Sequence, residues 1–285
     1  MRAILLAVLL ALAALPAHRA AAGEMAVHAM RSEALGRTWN FSVYEPDGYG
    51  DGRHYPVVYF LPGISRRRGE WVALALPSLA DAAIAEGRMP PALIVVPELG
   101  ASWGVDRKEH MQTALMRDLL PEIGRRWRVL PGRQGRALVG VSAGGFAGLR
   151  LALLHPEHFA AVAVMSPAVY VPEPPANSAA RGGGVFAGDT LPEHWFDPAI
   201  WQSLNYPALL PGFRATGISM PLFIASGDAD ILGTHVQARR LFDVWQTMRM
   251  PATLRLVPGG HTYGVWRELV PDALGFALRF TGVAE

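Results

Sequence analysis

The 285-residue chain contains no cysteine. A thiol nucleophile, a disulfide framework and a thiolate metal site are thereby excluded. Of its 26 basic residues only Lys108 is lysine, and the formal net charge is just +2. No long basic stripe is present, so a nucleic-acid partner is not expected. The one dense cluster, Arg66, Arg67 and Arg68, reads as a solvated loop. The H-E-x-x-H zinc signature is missing, and neither a metal nor another cofactor is expected. After the N-terminus no apolar run is long enough to span a bilayer, and no repeat or low-complexity tract is evident. With no crosslinks, a large apolar core has to hold the fold alone, and a composition of 51% hydrophobic and 18% charged residues supplies one.

The first residues read as an export signal. Arg2 gives a positive start, residues 3–16 are apolar, and Ala20-Ala21-Ala22 offers a small-residue cleavage site. The apolar run is short for a membrane anchor. Residues 1–22 are therefore expected to be a signal peptide and 23–285 one exported domain, secreted or periplasmic, with no stable membrane insertion. Cleavage after Ala22 removes Arg2 and Arg19 and leaves a formally neutral chain with 24 acidic residues.

Periodicity changes along the chain. Residues 25–46 alternate, with Trp39, Phe41 and Val43 on one strand face and Asn40, Ser42 and Tyr44 on the other, and Gly36 marks a hairpin turn. Short continuous apolar runs then begin at Val57, Leu93, Ala137, Val162, Leu222 and Leu254. Runs of this kind suit parallel strands buried on both faces. Helical patterns separate them at 71–86, 111–127, 144–154, 235–248 and 265–280. The alternation predicts an α/β fold, a mostly parallel central sheet with helices on both faces. Residues 171–217 break the rhythm with many prolines and Gly182-Gly183-Gly184. They read either as a lid over a site or as a surface excursion fastened by its own aromatics.

Gly140-Val141-Ser142-Ala143-Gly144 matches G-x-S-x-G. A sharp strand-to-helix turn exposes the serine hydroxyl in a strained conformation, and flanking glycines let the backbone pass closely. The match alone is weak, but a predicted strand precedes it and a predicted helix follows. A serine hydroxyl needs a base to take its proton and a carboxylate to steer that base. Five histidines follow Ser142: His155, His158, His194, His235 and His261. Only His261, in Pro258-Gly259-Gly260-His261, lies on a loop just after a predicted strand, where sites of open α/β sheets form. The acid should end the preceding strand, and Asp228 and Asp230 both do so; spacing barely separates them. Two amides should hold an oxyanion: Ala143, beside the serine, and Ile64 in Pro62-Gly63-Ile64, since Pro62 has no N–H. Trp103, Trp195 and Trp201, with Phe196, are candidates for an apolar substrate pocket, and ordinary packing is the competing reading.

These segments resemble the esterase family of α/β-hydrolases that includes S-formylglutathione hydrolase, feruloyl esterase domains, enterochelin esterase and the antigen 85 mycolyltransferases. The resemblance spans roughly residues 33–280. It is carried by the run from Tyr55 to Gly63, by Gly140 to Gly145 with His155 to Phe159 after it, by Gly227-Asp228-Ala229-Asp230, and by Gly260-His261 with Trp266. It favours Asp230 over Asp228. Pro62 departs from the histidine that many members carry there. The resemblance implies acyl-ester chemistry without a metal on a small-molecule ester. The expected function is a serine esterase with Ser142, Asp230 and His261 as its catalytic set. An acyltransferase with a sugar or lipid hydroxyl acceptor and a non-catalytic binding protein of the same fold are the alternatives.

Overall fold

The computed structural model describes residues 22–64, 69–189 and 195–282. The proposed signal segment, Arg66 to Arg68 and His194 thus lie outside the described residues, apart from Ala22. The sequence opens with a hairpin of β1 (Glu24–Ser32) and β2 (Arg37–Glu45). Their antiparallel register pairs Ser32 with Arg37, and Gly36 turns the chain at φ 64°. Six further strands follow: β3 (Val57–Leu61), β4 (Leu93–Pro97), β5 (Arg136–Val141), β6 (Ala161–Met165), β7 (Leu222–Gly227) and β8 (Ala252–Val257). Each contains one of the apolar runs. They complete a sheet of order β1-β2-β4-β3-β5-β6-β7-β8, in which every pair from β4 to β8 is parallel. β3, β4, β6 and β7 are buried along their whole length, and β5 everywhere but at Arg136, because helices cover both faces.

On one face lie α1 (Glu70–Leu74), α2 (Leu76–Ala85) and the last helix, α9 (Tyr263–Arg279). The other face carries α3 (Met111–Thr113), a π-helical turn (Ala114–Leu119), α4 (Leu120–Arg126), α5 (Ala143–Leu154), α6 (Pro198–Leu204), α7 (Tyr206–Ala215) and α8 (Thr234–Thr247). No described helix is long and apolar enough to cross a membrane.

Three local readings change. The helix expected over 71–86 is two helices, joined by Ala75 at φ 54°. Pro77 lacks the N–H that would continue the first helix and instead occupies the first turn of the second, where proline is tolerated. The helix expected over 111–127 carries a π-turn just ahead of Pro121. The extra residue accommodates the clash between the proline ring and the carbonyl one turn back. Tyr44, expected on the polar face of β2, is fully buried, because α2 covers that face as well, and its hydroxyl donates to Asp81 at 2.6 Å.

Residues 171–217 are more regular than their sequence suggests, since they contain α6 and α7. Asp197 caps α6 by accepting from the Ala199 amide at 2.8 Å, with Pro198 at the first position. Phe186, Trp201, Tyr206 and Phe213 are buried, and Trp201 stacks on Phe146 of α5 at 5.3 Å. Arg150 of α5 donates to the Leu204 carbonyl and to Gln112. The segment is thereby fastened to the flank of the helix that follows Ser142.

Candidate active site

The chain crosses from β4 over β3 to β5, so the strand order reverses beside β3 and β5. In open α/β sheets the crevice outside the carboxyl ends of such strands is where ligands bind. Two segments flank that crevice: Pro62-Gly63-Ile64, leaving β3, and Ser142, leaving β5. Ser142 has φ 54° and ψ −115°, a strained conformation for a residue with a Cβ. The strain is held by backbone bonds: the Ser142 amide donates to Met165 at 2.9 Å, and the Ser142 carbonyl accepts from Phe146 and Ala168 at 3.1 Å each. The flanking glycines are required by close approach. A Cβ on Gly140 would collide with the Gly144 carbonyl, and one on Gly144 would collide with the Leu61 and Pro62 carbonyls.

His261 sits on the loop between β8 and α9. Its Nε2 lies 3.0 Å from Ser142 Oγ and its Nδ1 2.7 Å from Asp230 Oδ2. A carboxylate oxygen only accepts, so Nδ1 carries the proton and Nε2 is left to accept from the serine hydroxyl. The Trp266 ring meets the His261 ring edge-on at 4.9 Å and holds its plane. Trp266 is itself anchored by donating to Ser166 Oγ at 3.1 Å.

Asp230 is buried beyond β7. Burial by itself would raise its carboxyl, but hydrogen bonds from His261 and Thr234 outweigh that and hold it below the ordinary aspartate range. Thr234 Oγ1 donates to Oδ2 at 2.5 Å and the Leu232 amide to Oδ1 at 2.9 Å. Asp228 does a different job: it accepts from the Gly259 amide at 3.1 Å and so ties down the histidine loop. His155 and His158 flank the end of α5, and His235 lies in the first turn of α8; none of them hydrogen-bonds Ser142.

Ser142 and His261 open onto a cleft of about 390 Å³, lined also by Gly63, Ile64, Glu70, Thr262, Tyr263 and Trp266. Among the described residues no hydrogen bond engages the Ile64 or Ala143 amide. Ala143 begins the 12-residue helix α5, where unpaired N–H groups face outward. None of the three candidate pocket tryptophans lines the cleft. Trp103 and Trp201 are core residues: they meet edge-on at 6.4 Å, Trp103 is edge-on to Phe146 and Phe186, and Trp201 is edge-on to Phe186 and stacked on Phe146. Trp201 also donates its ring N–H to the Tyr170 carbonyl at 3.1 Å, so both its faces and its polar end are occupied. Trp195 is exposed.

Two residues of the site went unread in the sequence. Thr234 left a signal, a hydroxyl one helical turn beyond Asp230 at the start of α8. Glu70 left none, since it follows an arginine run and resembles ordinary loop charge. Its side chain is nonetheless buried beside Gly63, and burial raises its carboxyl although the Gly63 amide opposes that rise.

Comparison with known proteins agrees with this architecture. The sequence model described as "Putative esterase" matches residues 32–277. An endo-1,4-β-xylanase/feruloyl esterase of Xylanibacter ruminicola is 30% identical over 155 residues, half of this chain and 21% of that protein, so the chain spans about a fifth of this curated relative. A ferulic acid esterase structure superposes with a TM-score of 0.73 at 21% identity, covering 92% of this chain and 99% of that one. The S-formylglutathione hydrolase of Agrobacterium tumefaciens superposes with a TM-score of 0.70 at 21% identity, covering 92% and 96%. The fold is therefore that of the α/β-hydrolase esterases. With the family model matched over most of its length, the chain belongs to the Putative esterase family, and carboxylic ester hydrolysis is its class of chemistry.

Proposed function

We propose that the protein hydrolyses carboxylic esters in two steps through an acyl-enzyme on Ser142. The observation that carries this is the unbroken line from Asp230 through His261 to Ser142, with contacts of 2.7 and 3.0 Å. His261 Nε2 takes the hydroxyl proton as Ser142 Oγ attacks the ester carbonyl. Asp230 stabilises the imidazolium that forms. The Ala143 and Ile64 amides hold the oxyanion. The proton then passes from His261 to the departing alkoxide as the ester C–O bond breaks. Water, deprotonated by His261, next attacks the acyl carbonyl, and acid and free enzyme are released.

The test is hydrolysis of short p-nitrophenyl esters by the exported chain. Loss of at least 10³-fold in kcat is expected for Ser142→Ala. Undiminished turnover would refute the assignment. Feruloyl esters and S-formylglutathione belong in the same screen, because relatives of similar fold are named for them. A second cavity of about 490 Å³ shares Gly63 and Glu70 with the catalytic cleft. It has room for an acceptor alcohol, which favours acyl transfer as the second reading; product analysis with and without added alcohols decides. The N-terminal residues are further proposed to direct export, and N-terminal sequencing of the mature protein tests cleavage after Ala22.

A further inference from the structure

Pro62-Gly63-Ile64 leaves β3 with two amides, those of Gly63 and Ile64, and no backbone carbonyl among the described residues takes either. The Glu70 carboxylate lies against the Gly63 backbone, and the Gly63 amide partly offsets the rise that burial imposes on it. Buried Glu70 Oε2 has no hydrogen-bond partner among the described residues, and Oε1 is the oxygen turned to Gly63. A Cβ built on Gly63 would lie 3.1 Å from Glu70 Oε1 and 3.6 Å from Ser142 Cβ, which puts the Gly63 backbone in a slot between the two side chains. Glu70 is 8% exposed, and it and Gly63 line both the catalytic cleft and the neighbouring 490 Å³ cavity. Open space thus lies on either side of this turn. Glu70 and Ser142 are the side chains nearest the Gly63 backbone.

We propose that Glu70 is a positioning residue: by holding the Gly63 amide it fixes the Gly63–Ile64 peptide so that the Ile64 N–H faces the oxyanion. The proposal rests on the acyl-enzyme reading and adds to it the side chain that presets one oxyanion donor. Preset donors matter because they stabilise developing charge without reorganising during the reaction. A buried carboxylate is costly, and most turns of this size manage without one. Here it supplies a restraint that Gly63 lacks, since glycine leaves the backbone loose and Pro62 has no N–H to be held. What Gly63 needs is an acceptor oxygen at that point rather than a charge.

The experiment compares Glu70→Met, which fills the space without an acceptor, with Glu70→Gln, which keeps an amide oxygen there. Purified, folded variants are assayed on a p-nitrophenyl ester, and a boronic acid that forms a tetrahedral adduct on serine is titrated against each. Glu70→Met is expected to lose about 100-fold in kcat with KM within threefold, and boronate affinity to fall in parallel. Glu70→Gln should stay within about fivefold of the parent in both. Should Glu70→Met not fold, Glu70→Asp withdraws the acceptor by one methylene and is expected to lower kcat but not KM. Three results would overturn the role: a folded Met or Asp variant with full kcat, a loss confined to KM, or a Gln variant as impaired as Met. Ser142→Ala is run alongside. If the parent is no faster than that variant, the acyl-enzyme reading fails and takes this one with it; if the parent is active and the folded Glu70→Met variant is equally active, only the role of Glu70 fails.

Discussion

Replacing Asp230 by asparagine changes one atom and reverses the polarity of a hydrogen bond. Oδ2 now accepts from both His261 Nδ1, at 2.7 Å, and Thr234 Oγ1, at 2.5 Å. Oδ1 is already used by the Leu232 amide, so the asparagine oxygen stays there and its NH₂ takes the place of Oδ2. A donor then faces Nδ1, which must give up its proton. The proton moves to Nε2, which turns from an acceptor into a donor toward Ser142 and can no longer take the hydroxyl proton. Comparable sites with this substitution lose about 10⁴-fold in kcat, or about 5 kcal/mol of transition-state stabilisation. Folding should change far less, within about 2 kcal/mol, because a buried charge is removed together with the bonds that satisfied it. The assay is p-nitrophenyl ester turnover and the rate of fluorophosphonate labelling of Ser142, with circular dichroism to show that the variant is folded. Asp228→Asn is the matched control. Asp228 only accepts from Gly259, and its loss should cost less than about tenfold through a looser histidine loop. A folded Asp230→Asn variant within tenfold of the parent would refute the reasoning, as would an Asp228→Asn variant with the larger defect.

Trp201→Ala should destabilise the fold by about 3–5 kcal/mol, because a fully buried indole leaves a cavity; the milder Trp201→Phe should leave KM unchanged, and a raised KM in a stable variant would restore a substrate role. Gly144→Ala should destabilise by about 1–3 kcal/mol and abolish turnover, since the new methyl group meets two carbonyls of the oxyanion turn; thermal melting and ester turnover check both halves. Glu70 gives a pH signature. Burial raises its folded carboxyl above the unfolded value, so its protonated form is the one that folding favours, and that stabilising contribution fades as pH rises through the folded pKa. The Tm of Glu70→Gln minus that of the parent should therefore grow with rising pH, and a difference that shrinks would contradict the burial argument. Asp230 has the opposite sign. Its carboxyl is held low, so its contribution is full above the unfolded carboxylate range and is lost only as pH falls through the lower folded value. Asp230→Asn should flatten that part of the acid side of the stability curve.

Much of this molecule is written locally. The parallel strands announce themselves as unbroken apolar runs because both faces of each are covered, and Ser142 and His261 follow from their places after such strands. The turn at Ser142 is legible for the same reason: only glycines fit where Gly140 and Gly144 pass carbonyl groups. Where the sequence misled, a local rule met a partner it could not see. Pro77 and Pro121 interrupt helical patterns that looked continuous. Tyr44 alternates like a solvent-facing residue, yet α2 lies over it. Trp103 and Trp201 have the composition of a pocket and the location of a core, because α6 and α7 pack back onto α5.

The division at the site has one physical cause. Spacing along the chain determines which residues leave a strand at the carboxyl edge of the sheet, so sequence alone reaches Ser142, His261 and the pair Asp228 and Asp230. Which aspartate faces Nδ1 and which ties down Gly259 depends on how two loops from β7 and β8 pass each other, and no spacing rule encodes that. Glu70 lies further still from any local signal: it becomes part of the site only because α1 carries its carboxyl back under Gly63, and that short through-space approach exists in the tertiary structure alone.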